Sequence, residues 1–371
     1  MTPTTGADTP RSSSGDPSAG SSTGSSTGSS TGSSTGSFLD EVRRAVTPRA
    51  TLLVIGAVAL HLLFIASYVG ALHDPRPKDV PFGVVASPAV ARQTVARLEK
   101  LPGGPLDPRT VADAATARKQ IVNREIDGAL VVGPSGTTDT LLVATGGGKV
   151  LASTLVALTS TLEKSEARTL RTLDVVPADT QDANGLSSFY LAVGWCVGGY
   201  LCASIMVIGS GAARSTPRRA VIRLLAMAVV GIVGGLGGAL IVGPALGALP
   251  GGIAAFWGLG ALIIFAVGAA TLAFQGVLGL AGVGLVILLV VILGNPSAGG
   301  ALPPPLLPPF WKAIGPALPP GAGTWAARSI AYFDGNDMTA SLLVLSAWAV
   351  AGVAVTLLAA VMRTRRVQHT P

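Results

Sequence analysis

Residues 51–72 contain no Asp, Glu, Lys or Arg. As a helix they are long enough to cross the hydrocarbon core of a bilayer, which takes about 20 residues. Runs of the same kind recur at 188–210, 224 to about 248, 253–274, 276–293 and 340–362. The sequence therefore predicts six transmembrane helices. Composition points to the same solvent: 49% of residues are hydrophobic, 12% are charged and the mean hydropathy is +0.58, a balance that a water-soluble chain of 371 residues would not keep in solution.

Charge sets the expected orientation, because positive residues in short loops are retained on the cytoplasmic side. Arg43, Arg44 and Arg49 precede the first run. Arg214, Arg218, Arg219 and Arg223 fill the turn between the second and third, and Arg363, Arg365 and Arg366 follow the sixth. Six crossings put all three clusters on one side. Both termini are thus expected in the cytoplasm, with residues 73–187, 249–252 and 294–339 outside. Arginine far outnumbers lysine among abundant alanine and glycine, the composition of a GC-rich bacterial genome, so the expected location is a bacterial plasma membrane. A net charge of +7 spread over these flanks is not a soluble basic face with stacking aromatics, and nucleic acid is excluded as a partner in favour of membrane lipid.

Residues 1–37 are mostly Ser, Thr, Gly and Pro with hardly an apolar side chain, and the tetrad Ser-Ser-Thr-Gly repeats from Ser21 to Gly36. Such a stretch cannot bury enough surface to offset its ordering entropy, and it reads as a flexible tail without the pattern of a signal peptide. Residues 38–49 put Phe38, Leu39, Val42 and Ala45 on one face beside Arg43 and Arg44. That pattern fits a short interfacial helix, and equally a solvated stub leading into the membrane.

Residues 73–187 carry the charge and alternation of a folded, water-exposed domain. The reading is a strand at 80–86, a helix at 88–101, a helix at 111–126, strands at 129–132 and 140–144, a long helix at 150–173 with a leucine stripe, and an edge strand at 174–176. This is a small extracytoplasmic α/β domain between the first and second membrane helices. The remainder, 188–366, is a membrane bundle, and 367–371 is a cytoplasmic tail.

Little in the chain suggests catalysis. Gly146-Gly147-Gly148-Lys149 lacks the earlier glycine and the following Ser or Thr of a phosphate loop, Val143 and Val150 standing there instead, so it reads as a strand-to-helix turn. Neither HExxH nor CxxC occurs, and neither a metal nor a cofactor is expected. Cys196 and Cys202 lie in one apolar run and read as small packing residues. His61, in the middle of the first span, is either part of a polar path or a neutral ring bonded within the bundle. Gly231, Gly234, Gly235 and Gly238 form small-xxx-small spacings for close helix packing. Before the last span, five prolines between Pro303 and Pro309 lead to Phe310 and Trp311, and Pro316, Pro319 and Pro320 follow. Prolines break helices and aromatic rings favour the interface, so this segment reads as short broken helices at the outer membrane surface.

The layout over residues 38–366, together with VPFGVVAS (80–87), AATARKQIVNREIDGALVV (114–132) and LPPFWKAIGPALPPGAGTWAARSIAYFDG (307–335), resembles the ABC-2 type transporter permeases, YhgE/Pip (phage infection protein)-like branch. The resemblance implies an exporter subunit that works as a homodimer or heterodimer with a separate cytoplasmic ABC ATPase. It implies further that 38–49 is an elbow helix and that the loop of Arg214, Arg218, Arg219 and Arg223 receives the ATPase. Phe310, Trp311, Pro316 and Pro320 then mark an outer re-entrant segment. The alternative is a membrane-anchored binding or scaffold protein whose outer domain engages a cell-wall, phage or secretion-machinery partner. An enzyme is not expected, since the spans offer no Asp, Glu, Lys or Arg and the chain has no ATPase motif.

Overall fold

The computed structural model describes residues 47–133, 137–209 and 216–368. The chain divides into two units, residues 1–54 and 55–371. In the first, the described part is the opening of helix α1 (Pro48–Leu72), where the Thr51 hydroxyl donates to the Thr47 carbonyl. The expected tail at 1–37 lies outside the described residues, as does most of the expected interfacial helix (38–46). The remaining elements belong to the second unit.

Among the described residues, five helices are long and apolar enough to cross a membrane, the build of a multi-pass membrane protein. They are α1, α5 (Ser187–Ile208), α6 (Pro217–Leu240, prolonged by a π turn at Ile241–Ala245), α7 (Ile253–Leu278) and α11 (Thr339–Gln368). The apolar run at 276–293 is cut differently from its sequence reading. Residues 276–278 finish α7, Gly279 ends it with φ +63°, and α8 (Ala281–Ser297) follows as a shorter apolar helix that is partly π. A glycine in the left-handed region is a strong helix stop, whereas Gln275, the expected break, is no impediment to a helix.

Helix α6 also starts earlier than its apolar run. Thr216 caps it by accepting from the Arg219 N–H at 3.3 Å, and Pro217 occupies its first position. Arg218, Arg219 and Arg223 therefore stand on the first turns of a helix and not in a turn, and Arg214 lies outside the described residues.

Helix α7 is the hub of the bundle: 56% of its apolar window is buried, against 6% for α1. Its neighbour α6 reaches it through glycine, since a Cβ on Gly231 or Gly235 would fall 2.8 or 2.5 Å from backbone atoms of Ala261. The small-xxx-small face is thus spent within the chain. Trp195 of α5 closes the third side and donates from Nε1 to the Gly234 carbonyl at 3.2 Å. Cys196 is buried, Cys202 partly so, and both are free thiols.

Between α1 and α5 lie strands β1 (Val80–Val85), β2 (Leu106–Thr110), β3 (Gly128–Val131), β4 (Thr138–Val143) and β5 (Thr169–Asp174). With them are helices α2 (Pro88–Leu98), α3 (Ala114–Val122) and α4 (Lys149–Ser165). The strand order is β2-β1-β3-β4-β5, parallel except for the β3–β4 pair, which runs antiparallel with Gly128 opposite Val143. The sequence reading departs most from the structure at the two edges of the sheet, where the strand expected at 174–176 is instead β5 at Thr169–Asp174. Strand β2, read as no element, contains Pro108, which a sheet tolerates because this strand is at the edge. The long helix stops at Ser165, and Leu170 and Leu173 belong to β5, which pairs with β4 from Thr138↔Thr169 onward. Ala167, at φ +55°, turns the chain between them.

Both faces of the sheet are completed from far along the chain. On one, Val80, Phe82, Leu130 and Leu141 pack with Leu151 and Leu155 of α4 and also with Leu302, Leu306 and Leu307. On the other, Val111, Ile121, Ile126 and Leu142 pack with Phe333. The contributing segment, 302–333, carries α9 (Pro309–Ile314) and α10 (Pro319–Tyr332) separated by a 3-10 turn, the broken helices that its prolines predict. The Gly146-Gly147-Gly148-Lys149 turn lies in the same seam. Gly148 adopts φ +145°, and a Cβ there would meet Pro303 at 2.5 Å.

Candidate functional site: a cleft between the sheet and the proline-aromatic segment

The helix cap at Asn123 leaves Arg124 at φ +61°, a conformation that throws its side chain off α3 towards α10. There its guanidinium lies 3.3 Å from the centroid of the Trp325 ring and 4.7 Å from that of Phe333. It donates to the Trp325 carbonyl at 3.1 Å and to the Ser329 hydroxyl at 2.6 Å. Trp325 is itself held by Nε1–H donation to the Asp337 carbonyl at 2.9 Å. Burial lowers the Arg124 pKa to about 9, with the Arg328 charge adding to the effect, so the group remains a cation at neutral pH.

Beside this contact opens a cleft of about 200 Å³. Its apolar walls include Ile126, Leu151, Pro304 and Phe333, and its polar groups are Arg124, Lys312, Asp79 and Asp127. Burial pushes the Asp127 carboxyl up to about 6, opposed by the charges of Arg124 and Lys312. Lys312 donates to the Lys78 carbonyl at 3.3 Å. The cleft thus sets two cationic and two carboxyl side chains around an apolar floor, a lining that can hold a small amphipathic molecule and offers no nucleophile-base pair.

A buried network fastens the other side of the seam. Arg328, 2% exposed, donates to the carbonyls of Gly299 at 3.0 Å and Gly185 at 3.3 Å. Asp182 accepts from the N–H groups of Leu186 and Ser187, from the Ser187 hydroxyl and from the Tyr332 hydroxyl. It therefore caps α5 while tying it to α10. At the far edge of the sheet, Asp139 binds Arg168 through both carboxylate oxygens, and this pairing holds its pKa low against burial. Glu163 is pushed up by burial and then by Asp139.

The residues singled out from sequence are dispersed. His61 is exposed and makes no hydrogen bond to the described residues. The hydrogen bonds from α1 to its neighbour come instead from further along the helix, where Ser67 and Tyr68 donate to the Ile292 and Val291 carbonyls. Phe310 is exposed, Trp311 packs edge-on against it at 5.0 Å while also touching the sheet core, Pro316 is exposed and Pro320 is buried. Among the described residues, no group of three or more His, Cys, Asp or Glu could hold a metal ion.

Sequence reasoning passed over Arg124, Asp127, Asp182 and Arg328, because a charged residue in a polar stretch reads as solvated surface. The available signal was indirect: the stretches 114–132 and 307–335, each distinctive by sequence, are the two that meet at the cleft. No family model matches the chain, and no curated protein and no solved structure proves similar to it.

Proposed function

We propose that this chain is the membrane subunit of an ABC-type exporter of the ABC-2, YhgE/Pip-like kind, acting as a dimer with a separate cytoplasmic ATPase. The observation that carries this reading is the shared core between the sheet and the segment 302–333. A scaffold needs one helix to anchor a binding domain. Here the domain is built into the bundle, so any rearrangement of α8, α10 or α11 is mechanically linked to the sheet and to the cleft beside it. In this reading α8, close to the minimum length for a crossing, is a further span, the fifth in chain order, which brings the total to six, and Arg218, Arg219 and Arg223 with Arg363 and Arg365 face the cytoplasm. The sheet and cleft then lie outside, where an amphipathic cargo leaves the membrane.

The reading is tested by purifying the tagged full-length chain from its native membrane and identifying what accompanies it. Co-purification of a nucleotide-binding subunit whose ATP hydrolysis rises in the complex is the expected result. A chain that is recovered alone, and whose loss changes no export phenotype, fits the scaffold reading instead. Labelling single cysteines placed at Thr138 and at Arg365 with an impermeant thiol reagent checks orientation, only the first reacting in intact cells.

A further inference from the structure

A second concavity lies in the bundle itself. Val221, Leu225 and Ala228 of α6, Phe265 of α7 and Leu357 of α11 are among the walls of a groove of about 270 Å³ whose lining side chains are all apolar. Val221 and Leu225 are 44% and 62% exposed, so the groove opens sideways along the helices and is not sealed inside the bundle. From Val221 to Ala228 it extends about 10 Å along α6.

One end of this groove is charged. Arg218 precedes Val221 by three residues and Leu225 by seven, which puts it on the same side of α6, one turn beyond the apolar lining. It is exposed, and among the described residues no carboxylate pairs with it. Arg219 and Arg223 fall on the other flank of the helix. On the α11 wall, Leu357 is followed within eight residues by Arg363 and Arg365, both exposed.

An apolar channel open to the side, with a free guanidinium at one end, is complementary to a molecule having a hydrocarbon chain and a phosphate. We propose that the groove holds an acyl chain of an anionic phospholipid whose phosphate sits against Arg218. Zwitterionic lipids offer the same chain but less net attraction to a cation, and one such cation favours an anionic headgroup about fivefold. The proposal rests on the bundle lying in a bilayer and is independent of any ATPase. It divides the basic cluster, with Arg218 serving the lipid and Arg219 and Arg223 left to face the aqueous side.

The test uses the full-length chain in detergent, offered equal amounts of phosphatidylglycerol and phosphatidylcholine with identical acyl chains, with retained lipid counted by native mass spectrometry. The parent is expected to retain phosphatidylglycerol about fivefold over phosphatidylcholine. Arg218→Gln should bring the ratio to near one, Arg218→Lys should keep it, and Ala228→Trp, which fills the groove, should remove the retained lipid of both kinds. Equal retention by the parent overturns the proposal, as does a ratio unchanged in Arg218→Gln. If Ala228→Trp leaves lipid retention intact and instead converts a dimer to a monomer, the groove is an interface between copies and the proposal fails. Ala228→Leu, a smaller filling, gives the same reading where the tryptophan variant does not fold.

Discussion

The guanidinium of Arg124 rests 3.3 Å from the ring centroid of Trp325, two residues 201 positions apart in the chain. The contact joins the turn after α3 to α10 and is reinforced by hydrogen bonds to the Trp325 carbonyl and the Ser329 hydroxyl. Arg124→Ala removes a desolvated cation–π contact and strands two acceptors, a loss of about 2–4 kcal/mol. The expected outcome is a lower thermal midpoint in detergent and faster amide exchange in both the α3 turn and α10. Arg124→Lys should recover only part of this, since an ammonium cannot stack and donate in one plane. Exchange that changes in the turn alone would show that the contact does not join the two elements.

Asp127 gives the cleft a pH dependence. Its carboxyl titrates near 6 in the fold against an ordinary 3.8, so between these values the folded chain binds a proton that the unfolded chain lacks. The stability it lends is complete below pH 3.8 and is lost as pH rises through about 6. Asp127→Asn stays neutral throughout. The difference in midpoint between variant and parent should therefore widen in favour of the variant from pH 5 to pH 7.5, towards about 1–3 kcal/mol. Parallel curves would sink the assignment.

The packing of α6 on α7 discriminates between glycines two positions apart. Gly235→Leu forces a side chain into the backbone of Ala261 and should destabilise the bundle by more than about 2 kcal/mol. Gly237, where a Cβ would meet nothing within 4 Å, should accept alanine with a change within about 0.5 kcal/mol. Thermal midpoints of the two variants in the same detergent settle the comparison.

The spans were the most legible part of the sequence, because a bilayer demands uninterrupted apolar length and α1, α5, α7 and α11 supply it. Their ends were less so: a threonine cap at Thr216 and a left-handed glycine at Gly279 set boundaries that hydropathy alone does not register. In the sheet, β1, β3 and β4 followed their apolar runs, while β2 and β5 are edge strands with one partner each, and Leu-Asp-Pro-Arg-Thr carries no strand pattern to read. The cleft was legible only indirectly, through the two distinctive stretches that meet there. Its polar members come from stretches about 200 residues apart, and only the fold brings Arg124 to Trp325.

Leu306 supplies a prediction about that long-range packing. It is 1% exposed within the core of the sheet although it lies outside the sheet's own stretch of sequence. Leu306→Ala should cost about 2–5 kcal/mol and loosen β1 and α4 as much as its own segment. Limited proteolysis of the full chain, followed by mapping of the earliest cuts, should place new cuts within 80–165. Cuts confined to 300–320 would count against a shared core.

That shared core also orders events during synthesis. The sheet is translated first, yet Leu302, Leu306, Leu307 and Phe333 reach it only after α5, α6, α7 and α8 have been made. Until then its two faces wait with apolar surface uncovered. The domain cannot reach its final packing while the ribosome is still on the early spans, and its completion reports that α8 and the segment after it have been placed. A chain truncated before residue 302 would leave an unfinished sheet for quality-control proteases, which makes the domain a checkpoint on the assembly of the bundle that follows it.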